Sequence, residues 1–279
     1  MSTSLAGSSY ADGPVRPEPA DFQYGAKTLD GKRVLVTGGT RGMGAAIAEL
    51  LIAQKGARYR DRTPSRRQVP GEADPSGSCL ARRRGLRCRP GDRDPRWSRC
   101  RRALRRASFA KPGGALALTD DDWMQALSTN LLSAVRLDRA ILPGMVEQRS
   151  GVIVHVSSLQ WKRPHESSPA YGPTKAALRS YSKVLASEFG PMGIRVNTVT
   201  PGYIATPLAE DRIRQIMGQA GISRAEAEAA LLATIGGVPL GRAGSAAEVA
   251  QLVAFLVSDA AAYVTGSEFV IDGGNNRVL

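Results

Sequence analysis

Groups that bind metals or carry redox chemistry are scarce in this 279-residue chain, which has two histidines and three cysteines. Cys79, Cys88 and Cys100 are separated by eight and then eleven residues, with no histidine nearby. That spacing fits no zinc pattern. His155 and His165 stand apart, and no acid pair clusters with them, so neither metal catalysis nor a Ser-His-Asp triad is expected. There is no run of about 18 uninterrupted apolar residues, hence no expected membrane helix. The start of the chain lacks the charged residues and apolar run of a secretory signal. These absences predict a soluble, cytoplasmic protein without a membrane partner. The length suits one large α/β domain or two small ones with a sizeable core.

Charge is plentiful but unevenly placed. The formal net charge is +13 and the pI about 10.2. Residues 58–106 hold 17 Arg, no Lys and five acids, a net +12, leaving +1 for all the rest. A basic protein of this pI invites a nucleic-acid reading, but here basicity belongs to one segment. That segment also has only four residues of the Val, Ile, Leu, Phe and Met set: Val69, Leu80, Leu86 and Leu104. No buried strand is expected in it.

Elsewhere the pattern is regular. Residues 1–28 are Ser, Gly, Pro, Ala and Asp with few apolar anchors, which predicts a flexible extension. A short β-branched strand, Val34 to Thr37, leads into Thr37-Gly38-Gly39-Thr40-Arg41-Gly42-Met43-Gly44 and a helix to about Gln54. Strand, glycine-rich turn and helix in that order let the backbone approach a pyrophosphate at the helix N-terminus. Further on, the strand Val152–Val156 ends in Ser157-Ser158 and is followed by Tyr171-Gly172-Pro173-Thr174-Lys175 at the start of a helix. Tyr171 and Lys175 are four apart, so they share a helix face. A tyrosine pKa near 10 is too high for work near neutrality, and a lysine ammonium beside it favours the phenolate. A serine hydroxyl can hold the substrate oxygen. That set suits proton transfer at an alcohol or carbonyl oxygen.

Together these motifs resemble the short-chain dehydrogenase/reductase family, over about 29–56 and 108–275. Ser158 lies thirteen residues before Tyr171, the family's spacing, and is preferred to Ser157. Asn130 matches the family's asparagine, while Pro201-Gly202, Ile204 and Thr206 match the segment lining the nicotinamide. The resemblance implies a doubly wound parallel sheet of Rossmann-like type, in a domain spanning 29–279. It implies an NAD(P)-dependent enzyme interconverting an alcohol and a carbonyl. Tyr171 would be the general acid/base, Ser158 would position the substrate oxygen, and Lys175 would hold the nicotinamide ribose. Asn130 would hold a water linked to Lys175. Thr37, Gly38, Thr40, Arg41, Gly42, Met43 and Gly44 would meet the cofactor. Arg41, a planar fork suited to a 2′-phosphate, tips the choice between NADP and NAD toward NADP. The resemblance also implies a small alcohol or carbonyl compound as substrate and a homodimer or homotetramer as the assembly.

Other features carry less. Trp123, Leu127, Leu131 and Val135 form an apolar stripe that suits either a dimer interface or internal core. The long connection 203–240, with Leu208, Ile213, Leu231 and Leu232, corresponds to the family's substrate lid and hints at a substrate of low polarity. Ser245 to Glu248 forms a capping box. His155 is expected to be a satisfied core residue, and His165 a contact to substrate.

The segment 58–106 stands where the family carries its second, third and fourth strands. Three readings compete: a basic anion-binding insertion, a three-cysteine metal site, and a stretch translated out of frame. Its length equals that of the strands it displaces, which favours the third. An alternative function follows, a catalytically impaired chain unable to hold its cofactor.

Overall fold

In the computed structural model, which describes residues 29, 32–54, 79–80, 113–166 and 168–277, fourteen elements matter. They are β1 (Leu35–Val36), α1 (Gly42–Gln54), β2 (Cys79–Leu80), α2 (Asp120–Leu127), α3 (Ser133–Glu147), β3 (Gly151–Val156) and α4 (Tyr171–Phe189). Then come β4 (Ile194–Pro201), β5 (Ile204–Ala205), α5 (Pro207–Ala220), α6 (Arg224–Thr234), β6 (Gly244–Ser245), α7 (Ala246–Val257) and β7 (Glu268–Ile271). The expected extension 1–28, most of the arginine-rich segment and its three-cysteine reading lie outside the described residues.

β3, β4 and β7 form a parallel sheet with β4 in the middle. Every residue of β4 is buried, as a strand covered on both faces requires. Because side chains alternate, each face of the sheet gathers its own core. Val199 joins Ile47, Leu51, Val249 and Val253 beneath α1 and α7, with Val154 alongside. Ile153, Ile194 and Val196 join Leu142 and Leu185 beneath α3 and α4. The sheet is thus wound on both sides, the α/β architecture expected. Two polar side chains on β4 are absorbed by its surroundings. Arg195 donates to Leu256 O (2.9 Å) and Ser258 O (3.0 Å), closing the C-terminus of α7, where cations are favoured. Asn197 donates to Val264 O and accepts from Ser267 N.

The first strand pairs within the arginine-rich segment, where no buried strand was expected: Leu35 pairs with Leu80 and Val36 with Cys79, antiparallel. A two-residue ladder needs only backbone N–H and C=O groups, which no apolar pattern reports.

α2 begins at a capping box in which Thr119 accepts from Asp122 N and Asp122 accepts from Thr119 N. Between α2 and α3 the helix widens into a π-turn, Ser128–Leu132, where Ser133 N reaches back five residues to Ser128 O. The stripe at Trp123, Leu127, Leu131 and Val135 is only half-buried. The buried row is Ala126, Asn130, Asp138 and Leu142.

Asp138 meets His155 of β3 at 3.1 Å, and the other ring nitrogen of His155 lies 2.6 Å from Ser182 Oγ on α4. Ser182, His155 and Asp138 have the composition of a hydrolytic triad, yet none is more than 7% exposed. The Ser182 hydroxyl also lies 2.9 Å from Leu178 O. This is a core network, the satisfied role read for His155. Burial, and then the charge and hydrogen bond of Asp138, push the Tyr181 phenol up. Asp138→Ala leaves the buried His155 ring and the half-buried Tyr181 hydroxyl without that acceptor and is expected to lower unfolding free energy by about 2–3 kcal/mol. Urea denaturation measures it, and an unchanged midpoint would remove the network from the stability account.

Candidate active site

The carboxyl ends of parallel strands are where such sheets bind ligands. β3 ends in Ser157-Ser158, β4 runs into Gly202, and β7 runs into Asp272. Ser157 N donates to Val199 O at 2.7 Å, extending the β3–β4 ladder to the site. Ser158 opens a tight turn, Leu159–Trp161, its hydroxyl accepting from Gln160 N. The turn is anchored from below. Trp161 Nε1 donates to Glu268 Oε1 (2.6 Å), Thr200 Oγ1 to the same oxygen (2.7 Å), and Arg179 Nε to the other (2.9 Å). Burial acts against the Glu268 charge. Bonds from Thr200 and Trp161, with Arg179 and Lys162 close by, hold its carboxyl below the ordinary range.

Tyr171 is the first residue of α4 and Lys175 lies one turn on. Gly172 lets this helix end press against the serine turn, since a Cβ there would sit 2.7 Å from Gln160 O. The contact brings the Ser158 hydroxyl to the Tyr171 phenol. Burial raises the phenol above its ordinary value of 10, and the hydrogen bond with Ser158 opposes that rise. Lys175 does not offset it. Its Nζ lies 5.7 Å from the Tyr171 ring centroid and donates to Val156 O at 3.0 Å. Burial brings Lys175 down to about 8. Asn130 sits in the π-turn, buried, with Nδ2 donating to Ala126 O. α2 and the π-turn pack on α4.

The glycine turn stands across from the β4 exit. Gly38 (φ 68°) and Gly42 (φ 56°) adopt the left-handed region, open to glycine at little cost. A Cβ on Gly44 would fall 2.2 Å from Gly38 O, so only glycine closes this loop onto α1. Thr206 packs beside Gly42 and caps α5 by accepting from Ala209 N. Ile204 and Met43 meet in the core under α1 and α7. Thr37, Gly38, Thr40, Arg41, Gly42, Met43 and Gly44 are therefore grouped with Ile204 and Thr206. Ser158, Tyr171 and Lys175 form the second group, with Pro201 and Gly202 following from the central strand. Arg41 and His165 are exposed.

The sequence reading missed Tyr203. Its hydroxyl is buried without a hydrogen-bond partner among the described residues. Burial, then Glu228 and Glu210, raise its pKa. It also missed Arg163 and Asn275. Arg163, in the loop between Ser158 and Tyr171, donates to Asn275 O at 2.6 Å. The one available signal was position, since Tyr203 follows the Pro-Gly pair and Arg163 follows the serine turn.

Residues 94–276 match a family profile described as enoyl-(acyl carrier protein) reductase. The chain is 32% identical over 261 residues to the 3-oxoacyl-[acyl-carrier-protein] reductase of Salmonella typhimurium, covering 88% of this chain and 98% of that one. It belongs to the short-chain dehydrogenase/reductase family. Members of this family are NAD(P)-dependent oxidoreductases. The counterpart from Pseudomonas aeruginosa is 36% identical over 168 residues, 60% of this chain and 62% of that one. Among solved structures, the L-sorbose reductase of Gluconobacter frateurii complexed with NADPH and L-sorbose superposes with a TM-score of 0.58 at 31% identity. That match spans 62% of this chain and 65% of the other. A 3-oxoacyl-[acyl-carrier protein] reductase from Brucella melitensis gives 0.51 at 34% identity, over 60% and 59% of the two chains. The shared structure thus spans under two thirds of these solved dehydrogenase/reductase chains. No helix among the described residues is long and apolar enough to cross a membrane.

Proposed function

We propose that this chain reduces a carbonyl to an alcohol, or the reverse, with NADP in preference to NAD. The observation supporting it is Tyr171, set against the Ser158 turn and one helical turn from Lys175, on the same sheet end as a glycine turn packed beside Thr206. The residues present fit the pyrophosphate and nicotinamide side of a dinucleotide: the turn has no room for a Cβ at Gly44 and leads directly into α1. Arg41 is exposed at that turn, where a 2′-phosphate suits it. The bound cofactor supplies or accepts the hydride. Tyr171 gives its proton to the carbonyl oxygen during reduction, Ser158 holds that oxygen, and Lys175 provides positive charge toward the phenol and ribose. Asn130 would hold a water behind Lys175. The relatives named above reduce carbonyl compounds, which supports this reaction class. Met124 and Val184, exposed on α2 and α4, suit the homodimer or homotetramer.

A second reading has one observation behind it. β1, which carries the glycine turn, pairs with β2 and stands outside the three-stranded sheet, as a catalytically impaired chain would. One experiment separates the two. NADPH at 100 times its Kd is expected to add about 2.7 kcal/mol of stability, raising the melting midpoint more than NADH does, with carbonyl-dependent loss of NADPH absorbance. No shift with either nucleotide and no turnover would establish the impaired chain.

A further inference from the structure

Two of the apolar residues of the lid connection, Ile213 and Leu232, are buried. The loops around it carry a different signal. α6 ends in Ile235-Gly236-Gly237, with both glycines left-handed (φ 81° and 78°). Asn275, 3% exposed, donates through Nδ2 to Ile235 O and Gly237 O, and its own carbonyl accepts from Arg163. Gly273 and Gly274 pack against Val238 and Pro239 so closely that no Cβ would fit. The exits of β3 and β7 and the end of α6 are thereby tied into one rigid wall.

Two guanidinium groups on that wall approach Gly236. Arg163 Nη2 lies 2.6 Å from where a Gly236 Cβ would be, and Arg277 Nη2 donates to Gly236 O at 3.1 Å. Among the described residues, Arg163 donates to Asn275 O and Arg277 to Gly236 O, both backbone carbonyls. Neither has a carboxylate within 4 Å among the described residues, although seven other cation–acid pairs on those residues do. Glu166, three residues beyond Arg163, and Asp272, five before Arg277, are the closest acids in sequence among the described residues; neither pairs with a guanidinium here, and Asp272 accepts instead from Gly274 N and Asn276 N. Two like charges brought to one glycine repel one another, and an anion between them removes that cost. Arginine forks match carboxylate and phosphate oxygens.

We propose that Arg163 and Arg277 form a cradle for an anionic group, carboxylate or phosphate, carried by the substrate some bonds away from its reacting carbonyl. The placement follows from the loop. Arg163 N donates to Leu159 O, so Arg163 leaves the very turn that Ser158 opens. Calling the bound anion a substrate rests on the carbonyl reaction proposed above; the cradle itself does not.

The test uses 4-oxopentanoate and its methyl ester, which differ in one charge, with the full chain. Ligand-observed NMR without cofactor reads the cradle. The acid is expected to bind about 10-fold or more tighter than the ester. Arg163→Gln and Arg277→Gln should each remove that preference, while Arg163→Lys keeps part of it. Circular dichroism checks that each variant folds, and phosphate competition tells whether a free anion occupies the same place. Equal binding of acid and ester, or a preference unchanged in both glutamine variants, overturns the proposal. NADPH consumption with the two compounds is read separately. A chain that selects the acid through its arginines yet consumes no NADPH upholds the cradle and sinks only the reaction.

Discussion

Tyr171→Phe is expected to lower kcat for NADPH-dependent carbonyl reduction by about 10²–10⁴-fold, the usual contribution of a positioned proton donor. KM and the nucleotide-induced rise in melting midpoint should change little. The ring keeps its packing at the start of α4 and only the hydroxyl facing Ser158 is lost. The pH dependence has a definite sign. Burial brings Lys175 to about 8, so its charge disappears as pH rises through that value. With it goes the positive charge that favours the phenolate left after proton donation. kcat/KM for reduction is therefore expected to fall above about pH 8, and Lys175→Met should abolish that limb along with most of the rate. Stopped-flow NADPH oxidation across pH measures both. A Phe variant within a few-fold of the parent would mean that the proton comes from elsewhere.

The parts of the site legible in the sequence are those set by local spacing. The glycine turn, the Tyr171–Lys175 helix and the three parallel strands each announce themselves within about fifteen residues. So does the capping box Ser245–Glu248, which forms as read. What escaped depends on partners far apart in the chain. Trp161 to Glu268 spans 107 residues and Arg163 to Asn275 spans 112, and neither pair carries any periodic signal. The π-turn at Asn130 escaped for another reason, since one extra residue in a helical turn leaves composition and amphipathic pattern almost unchanged. The offset burial of α2 and α3 follows from it. A widened turn rotates the helix, so Asn130 and Asp138 face inward, and the apolar stripe, which suited either a dimer interface or internal core, is left half-buried.

We propose that residues 58–106 are translated out of frame, and restoring the frame is expected to have the largest effect on stability. An alignment covering 88% of a 279-residue chain necessarily passes through this segment, so it occupies the length of strands that relatives carry there. Reading its coding nucleotides one base over should yield two or three β-branched apolar runs. A chain rebuilt with them should gain on the order of 5 kcal/mol, from about 1.5–3 kcal/mol per buried large side chain less ordering entropy. The consequence reaches the site. Ser157 N donates to Val199 O, so by strand alternation the backbone groups of Val156 face the opposite edge of β3. No strand covers that edge among the described residues, and the Lys175 ammonium donates to Val156 O there. A strand paired along this edge would take that carbonyl with a backbone N–H and release the ammonium toward Tyr171. The restored chain should then show a lower tyrosine pKa by ultraviolet titration, together with tighter NADPH binding. A shifted frame without apolar runs, or a rebuilt chain with the same melting midpoint and the same tyrosine titration, would show that the arginine-rich segment is native and that Lys175 rests on Val156 for another reason.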